Sequence, residues 1–419
     1  MGVARWYTDV HRTDGGVDWA RGGIVRVVIV AGARTPFGGF GGAFRDLSAT
    51  DLAVCAAEEA LARAAVDVSA VESVVFGNAV QTSPDAPYLA RHVGLRVGLP
   101  VQVPAYVVGQ LCGSGMQAVL DAALRIEGGH ARAVLAGGAE NMSQAPHAVY
   151  GARWGLGTGP ATMEDVLWAA LTDRYCGLGM AETAEMLAEQ HGITRESQDQ
   201  FALRSHRCAA GARTDGRLAE EIVPVSVLGS DGRLVQVAAD EQIRDDATAE
   251  RMAALPARFR ERGTVTAGNA SGINDGAVAL VLAEEGYARQ VGLASLGRIV
   301  SWSAVGVEPR LMGLGAIAAA RQALARAALT VADLARVEIH ETFAVQYLVA
   351  ERELGLDREK VNVDGGAISI GHPLGASGAR LLLTLLHGLR RAGGGYGLAA
   401  MPVGGGQGLA VVVESIARA

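Results

Sequence analysis

The 419-residue chain holds a single lysine, Lys360. Its other fixed cations are arginines, so any phosphate it meets is held by guanidinium or backbone N–H groups. Positive charge is scarce overall: the formal net charge is −7, which argues against nucleic acid as a partner. Apolar runs are short, and none reaches the roughly 18 residues of a membrane span, so no membrane partner is expected. Residues 1–23 lack the apolar stretch of a secretory signal and read as a polar extension. Four cysteines, Cys55, Cys112, Cys176 and Cys208, stand apart with no CxxC pair. That spacing argues against a disulfide framework or a zinc site, and a reducing cytoplasm is the expected setting. No two histidines stand at ligand spacing, so no metal is expected. The glycine clusters GGAEN (137–141) and GGGQG (404–408) match neither a Walker A loop nor a dinucleotide fingerprint.

Alanine, glycine and aliphatic residues are what the chain has instead. Half of it is hydrophobic and 56 residues are glycine, a composition suited to close helix–sheet packing. Its length predicts two or more packed units. A first strand is expected at IVRVVIV (24–30), then a helix at 48–65 whose apolar spacing places Cys55 in the core. SVVFGNAV and RAVLAGGAE read as short buried strands, and GMQAVLDAALR as a helix between them. Strands alternating with helices predict α/β layers. From Gln144 the chain turns more polar, with short helices and an arginine-rich stretch at 244–262, and reads as an inserted subdomain. The α/β pattern returns at GRIVSWSAVGV (297–307).

The outer parts echo each other. CGSGMQAVLDAAL (112–124) and HPLGASGARLLLTLL (372–386) each place a reactive residue before small residues, a Ser-Gly pair and a helix. Each helix then leads to a strand that runs into glycines. Duplicated halves are predicted, with Cys112 and His372 meeting at their shared interface. A thiol at a helix N-terminus is expected to have a lowered pKa. On its own Cys112 would more readily be a buried structural cysteine. His372, set among glycines, supplies the base that a Cys/His nucleophile needs. His340 closes the strand VEIH and is followed by Glu341; alone it would be a satisfied core or surface histidine. The turn TVTAGNASGINDGA (264–277) reads equally well as a plain loop or as part of a site.

Five motifs together carry a resemblance: QLCGSGMQAV, GGAENMS, GTVTAGNASGINDGA, NVDGGAISIGHPLGASGAR and the final GGGQG. The chain resembles the thiolases, most nearly those of the bacterial acetyl-CoA acetyltransferase type, from about Ile24 to Glu414. The resemblance implies an α/β thiolase fold: two similar halves in a five-layer α-β-α-β-α arrangement with an inserted loop subdomain. The corresponding boundaries are 24–143 with 274–294 for the first half, 144–273 for the insertion and 295–419 for the second half. It implies an acyl-CoA acyltransferase that uses coenzyme A thioesters as substrates, has no tightly bound cofactor, and forms a homodimer or homotetramer. By the same resemblance Cys112 is the acyl-accepting nucleophile and His372 activates it. His340 supports the first oxyanion hole. The amides of Cys112 and Gly404 form the second, a donor pair suited to acyl transfer. Ser271 and Ala270 match the pantetheine contact, Met180 and Met312 the acyl pocket, Arg244 the nucleotide end, and Phe343 falls among the coenzyme-binding positions.

The departures from that pattern matter as much. The family's second reactive cysteine, which removes or returns the α-proton, stands two residues before the glycine of the second hole. Here that position is Pro402, which has no acid–base group. Cys176 is the one cysteine considered as a substitute. Position 340 is asparagine in many biosynthetic thiolases; a Cys112–His340–His372 set is similar to that of the ketoacyl synthases, which create their carbanion by decarboxylation. Gly179 and Ala316 replace a histidine and a proline of near relatives. Three readings follow: ordinary Claisen condensation or thiolysis, a decarboxylative or otherwise specialised condensation, and acyl-CoA hydrolysis.

Overall fold

The computed structural model describes residues 25–229 and 231–415; the extension expected at 1–23 lies outside the described residues. In chain order the elements that place the site begin with β1 (Val27–Arg34), α1 (Ala49–Ala64), β2 (Ser73–Gly77), β3 (Ala105–Val108), α2 (Ser114–Glu127) and β4 (Ala133–Asn141). An excursion then carries α3 (Met180–His191) and α4 (Arg195–Thr214) before β5 (Asn274–Glu284). The second part runs β6 (Gly297–Gly306), α5 (Gly315–Ala327), β7 (Leu334–Ile339), α6 (Ala344–Leu354), α7 (Leu374–Arg391), β8 (Gly395–Val403) and β9 (Gln407–Ser415).

Local chemistry explains several boundaries. Ser48 caps α1 through a reciprocal box with Asp51, which fixes the start of that helix. β1 begins and ends later than its apolar run predicts, extending through Ala31, Gly32 and Ala33. Those residues have little β propensity, but their pairing with Ala279 to Val281 of β5 overrides it. Gly32 leaves room for two leucines there: a Cβ would lie 2.4 Å from Leu280 Cδ2 and 2.8 Å from Leu383 Cδ1, so those side chains would have to shift.

Pairing repeats between the halves. β2 runs parallel to β4, and β4 and β1 flank β5 antiparallel. In the same way β7 runs parallel to β8, and β8 and β6 flank β9 antiparallel. The two sheets join edge to edge between β1 and β6 through only two residue pairs, Val28 with Arg298 and Ile29 with Gly297. Side chains of each strand alternate between core clusters. Val278, Leu280 and Leu282 of β5 face a central cluster with Leu409, Val411 and Val413 of β9; their neighbours face two outer clusters. The central cluster holds α2 and α7, and outer helices such as α1 and α5 cover the remaining faces, giving five layers.

Helices α2 and α7 approach almost to backbone contact. A Cβ on Gly115 would lie 2.4 Å from Gly375 O, and one on Gly378 2.5 Å from Met116 N. This seam aligns the starts of both helices, and each start carries a candidate reactive residue. The excursion is anchored on both sides. Arg34 is fully buried, with Nη1 and Nη2 donating to Asp240 at 2.7 and 2.9 Å and Nε 3.1 Å from Glu221 Oε1. Phe201 of α4 stacks on Tyr347 of α6 with ring centres 3.8 Å apart. Among the described residues no helix is long and apolar enough to cross a membrane.

Candidate active site

Cys112 lies on a short turn, Leu111–Gly113, between β3 and α2. Leu111 has φ of 48°, the left-handed region that side-chain-bearing residues seldom adopt. Ser114 holds the turn: its Oγ accepts from Gln110 N at 2.8 Å and donates to Leu111 O at 2.7 Å. The amides of Gly404 and of Cys112 itself face the sulfur. Burial nevertheless pushes the thiol up to about 12, outweighing both amides, and Glu140 adds to the rise. The lowered pKa expected from the helix terminus is therefore corrected: loss of water around the sulfur exceeds the pull of the dipole.

His372 precedes α7 and is buried. Its backbone N donates to Asn274 Oδ1 at 2.8 Å, and its Nδ1 lies 2.6 Å from Ser377 Oγ. Ser377 Oγ also donates to Pro373 O at 2.8 Å. With the hydroxyl hydrogen so used, the network assigns the His372 proton to Nδ1 and leaves Nε2 as the base. His340, at the end of β7, is held by its backbone N to Ala400 O at 2.9 Å. Its Nε2 stands 3.3 Å from His372 Nε2, and its Nδ1 is buried with no partner. Burial lowers both imidazoles, His372 to about 3 with help from Arg380 and His340 well below its usual value with help from His372 and Arg380. Both rings are neutral at neutral pH. His340 touches His372 without lining the cavity, whereas Cys112, His372 and Pro402 line it.

That cavity has a volume of about 530 Å³. Met180, Met312, Ala270, Ser271, Phe343 and Arg244 all line it, the last exposed at its mouth. Phe343 pairs with Ala270 across an isolated bridge, and Ser271 N donates to Thr342 O at 2.9 Å. Gly404 sits beside Leu111 and Met180, whose Sδ would be 3.4 Å from a Cβ there. Pro402, on β8 opposite Gly408, presents its ring to the cavity. Gly179 is also a wall residue, while Ala316 is buried in the core of α5. Cys176 is not brought in: it sits in a hairpin turn with Sγ 3.9 Å from Asp173 O and does not line the cavity. Its proposed role as substitute base is corrected on that ground.

Sequence reasoning passed over Asn274, Ser377 and Glu140. All three lie inside the quoted motifs, and a hydroxyl five residues after a candidate base was the available signal. Glu140 accepts from Ala79 N, Val80 N, Asn78 Nδ2 and Gly375 N at 2.8 to 3.1 Å, tying β4 to the start of α7. Burial raises its carboxyl, to about 8, against the pull of those donors. Among the described residues no group of three or more potential ligands could hold a metal ion.

A shielded thiol, a neutral imidazole and paired amides thus meet on a duplicated α/β frame. The thiolase N-terminal domain model matches residues 27–286 and the thiolase C-terminal domain model residues 293–415. Human mitochondrial 3-ketoacyl-CoA thiolase is 46% identical over 393 residues, 93% of this chain and 98% of that protein. The acetyl-CoA acetyltransferase of Cupriavidus necator is 44% identical over 389 residues, 93% of this chain and 99% of that protein. The crystal structure of the human mitochondrial enzyme in complex with CoA superposes with a TM-score of 0.90 at 45% identity, covering 94% of this chain and 98% of that one. That of the Bacillus anthracis acetyl-CoA acetyltransferase gives 0.91 at 43% identity, covering 94% and 99%. The chain belongs to the thiolase family. It has the thiolase fold and is an acyltransferase.

Proposed function

We propose that this acyltransferase takes an acyl group from a coenzyme A thioester onto Cys112 and passes it to a carbon or sulfur nucleophile. The observation that carries the reading is the placement of the Cys112 sulfur against the amides of Gly404 and Cys112, in a cavity that His372 also lines. As sulfur adds to the thioester carbonyl, its proton passes to His372 Nε2. The carbonyl oxygen becomes an oxyanion. When it collapses, the bond to coenzyme A sulfur breaks and that sulfur takes the proton from His372. The two amides then hold the carbonyl oxygen of acyl-Cys112 for the second attack. Arg244, Ser271, Ala270 and Phe343 contact the coenzyme, and Met180 and Met312 contact the acyl group. Support comes from relatives with names such as acetyl-CoA acetyltransferase and from the neighbour solved with CoA. The proposal extends to a homodimer or homotetramer in a reducing cytoplasm, a setting compatible with four free cysteines.

A specific observation favours decarboxylative condensation as the second step. Pro402 stands in the cavity wall without an acid–base group, and two neutral histidines adjoin each other. Ser377 Oγ reaches both Pro373 O and His372 Nδ1, so turning its hydrogen lets His372 carry its proton on Nε2. His372 then presents its Nε2–H, with His340 beside it, to an enolate formed by loss of carbon dioxide, and no α-carbon base is needed. Mass spectrometry tests both levels. Acetyl-CoA is expected to add an acetyl group to the wild type and not to Cys112→Ala. Acetoacetyl-CoA is expected only when malonyl-CoA is also supplied. Acetylation that survives Cys112→Ala would overturn the acyl-Cys112 reading. Acetoacetyl-CoA from acetyl-CoA alone would overturn the decarboxylative one.

A further inference from the structure

The Cys112 cavity adjoins a second groove. Trp168 and Thr172 line the cavity and also line this open groove of about 790 Å³. Val149, Tyr150, Leu156 and Met163 supply apolar walls to that groove. Tyr150 and Met163 are each 66% exposed, and Leu156 and Trp168 each 57%. Concentrated exposed apolar surface of this kind marks a binding region. The groove's lining arginine, Arg174, is paired with Glu164, so the groove offers no free cation for a phosphate.

Gly179 sits at the junction. It lines the Cys112 cavity and pairs with Thr172 across a small hairpin. Its backbone angles, φ −71° and ψ 159°, are open to every residue, so the turn does not require glycine. A Cβ there would meet only Glu182 Oε2 at 3.4 Å and Leu171 O at 3.9 Å, ordinary contacts. The absent side chain is therefore a gap in the cavity wall rather than a backbone necessity.

We propose that Gly179 is a specificity-determining residue whose gap lets an acyl chain longer than acetyl run from Cys112 past Trp168 into the apolar groove. The inference rests on the acyl-Cys112 reading and names its substrate class: thioesters with a straight apolar tail. The shared walls Trp168 and Thr172, and the engagement of the groove's charged groups within the protein, Arg174 with Glu164 and Asp165 with the amides of Leu167 and Trp168, favour a hydrocarbon as occupant. The chemistry at the thioester is unchanged; only the binding of the tail differs.

The test compares acylation rates by intact-protein mass spectrometry with acetyl-, hexanoyl- and dodecanoyl-CoA. Wild type, Gly179→Ala and Gly179→Leu are measured alongside Met163→Glu. The dodecanoyl-to-acetyl rate ratio is expected to fall roughly tenfold or more in Gly179→Leu, and by less in Gly179→Ala. Met163→Glu is expected to lower the same ratio. An unchanged ratio in the Gly179 variants overturns the inference, as does a wild type acylated by acetyl-CoA alone. If Met163→Glu dissociates an oligomer in light scattering and leaves the ratio unchanged, the groove holds a second copy of the chain and the inference fails. No acylation by any thioester overturns the acyl-Cys112 reading itself, and this inference with it.

Discussion

At position 402 a proline ring lines the cavity shared by Cys112 and His372, where the resemblance to thiolases would place an acid–base cysteine. The surrounding amides remain, because Gly404 keeps its N–H towards the sulfur. Pro402→Cys is therefore expected to raise acetoacetyl-CoA formation from acetyl-CoA alone by ~10² or more, the usual scale of general acid–base catalysis. No gain in a correctly folded variant would show that another group already handles that proton. Cys112 carries a separate prediction. Its thiol is pushed up to about 12 by burial while His372 is pushed down to about 3, so the resting pair is neutral rather than thiolate–imidazolium. For a raised thiol the reactive thiolate grows as pH rises. Alkylation of Cys112 by iodoacetamide is thus expected to accelerate about tenfold per unit between roughly pH 7 and 10. A rate already level near neutrality would establish the ion pair instead. The sequence placed Cys112 at a helix start correctly, yet a helix start gives no measure of burial, and burial decides this pKa.

Helices α2 and α7 show what a linear reading can and cannot hold. The repeated Ser-Gly starts at 114–115 and 377–378 were visible as a pattern, and they mark the seam where the two helices touch. What the pattern did not reveal was the supporting set. Asn274 comes from β5, Glu140 from β4 and Ser377 from α7, and only folding brings the three to the start of one helix. Cys176 was misplaced for the converse reason: closeness in sequence to Met180 says nothing about which way a hairpin turns. The seam itself is testable. A methyl group at Gly375 would lie 2.5 Å from Ala139 O and 2.8 Å from Gly77 O, backbone atoms of β4 and of β2 that cannot swing aside. Gly375→Ala is expected to destabilise the fold by about 1–3 kcal/mol or more, the scale of overpacking. Because Gly375 N donates to Glu140, the same shift is expected to move His372 and slow acylation. A denaturation midpoint equal to wild type would show that the helices separate at little cost.

Across the whole molecule the duplicated halves share one interior. Met116, Val119 and Leu120 of α2 pack in the same cluster as Leu381, Leu382 and Leu385 of α7, with strands of both sheets around them. The halves' echo in sequence predicted this meeting. The edge-to-edge join of the sheets left no trace, because two backbone pairings between β1 and β6 impose no side-chain pattern. Nor did the sequence show that Arg34, on the first strand, would hold Asp240 and Glu221 of the excursion in a buried ion cluster. Removing one partner of such a cluster leaves unpaired buried charge, a cost of about 3–5 kcal/mol. These ties argue that neither half is a folding unit. A fragment of residues 25–292 would expose the inner face of α2 and the strands beside it, and one of residues 293–415 would expose the leucines of α7. Each fragment alone is expected to lack a cooperative thermal transition and to bind a hydrophobic dye, whereas the full chain melts with coincident near- and far-ultraviolet circular dichroism. If the second fragment melts cooperatively by itself, the central layer is a docking surface between two prefolded domains. The alignment of Cys112 with His372 would then depend on docking rather than on folding.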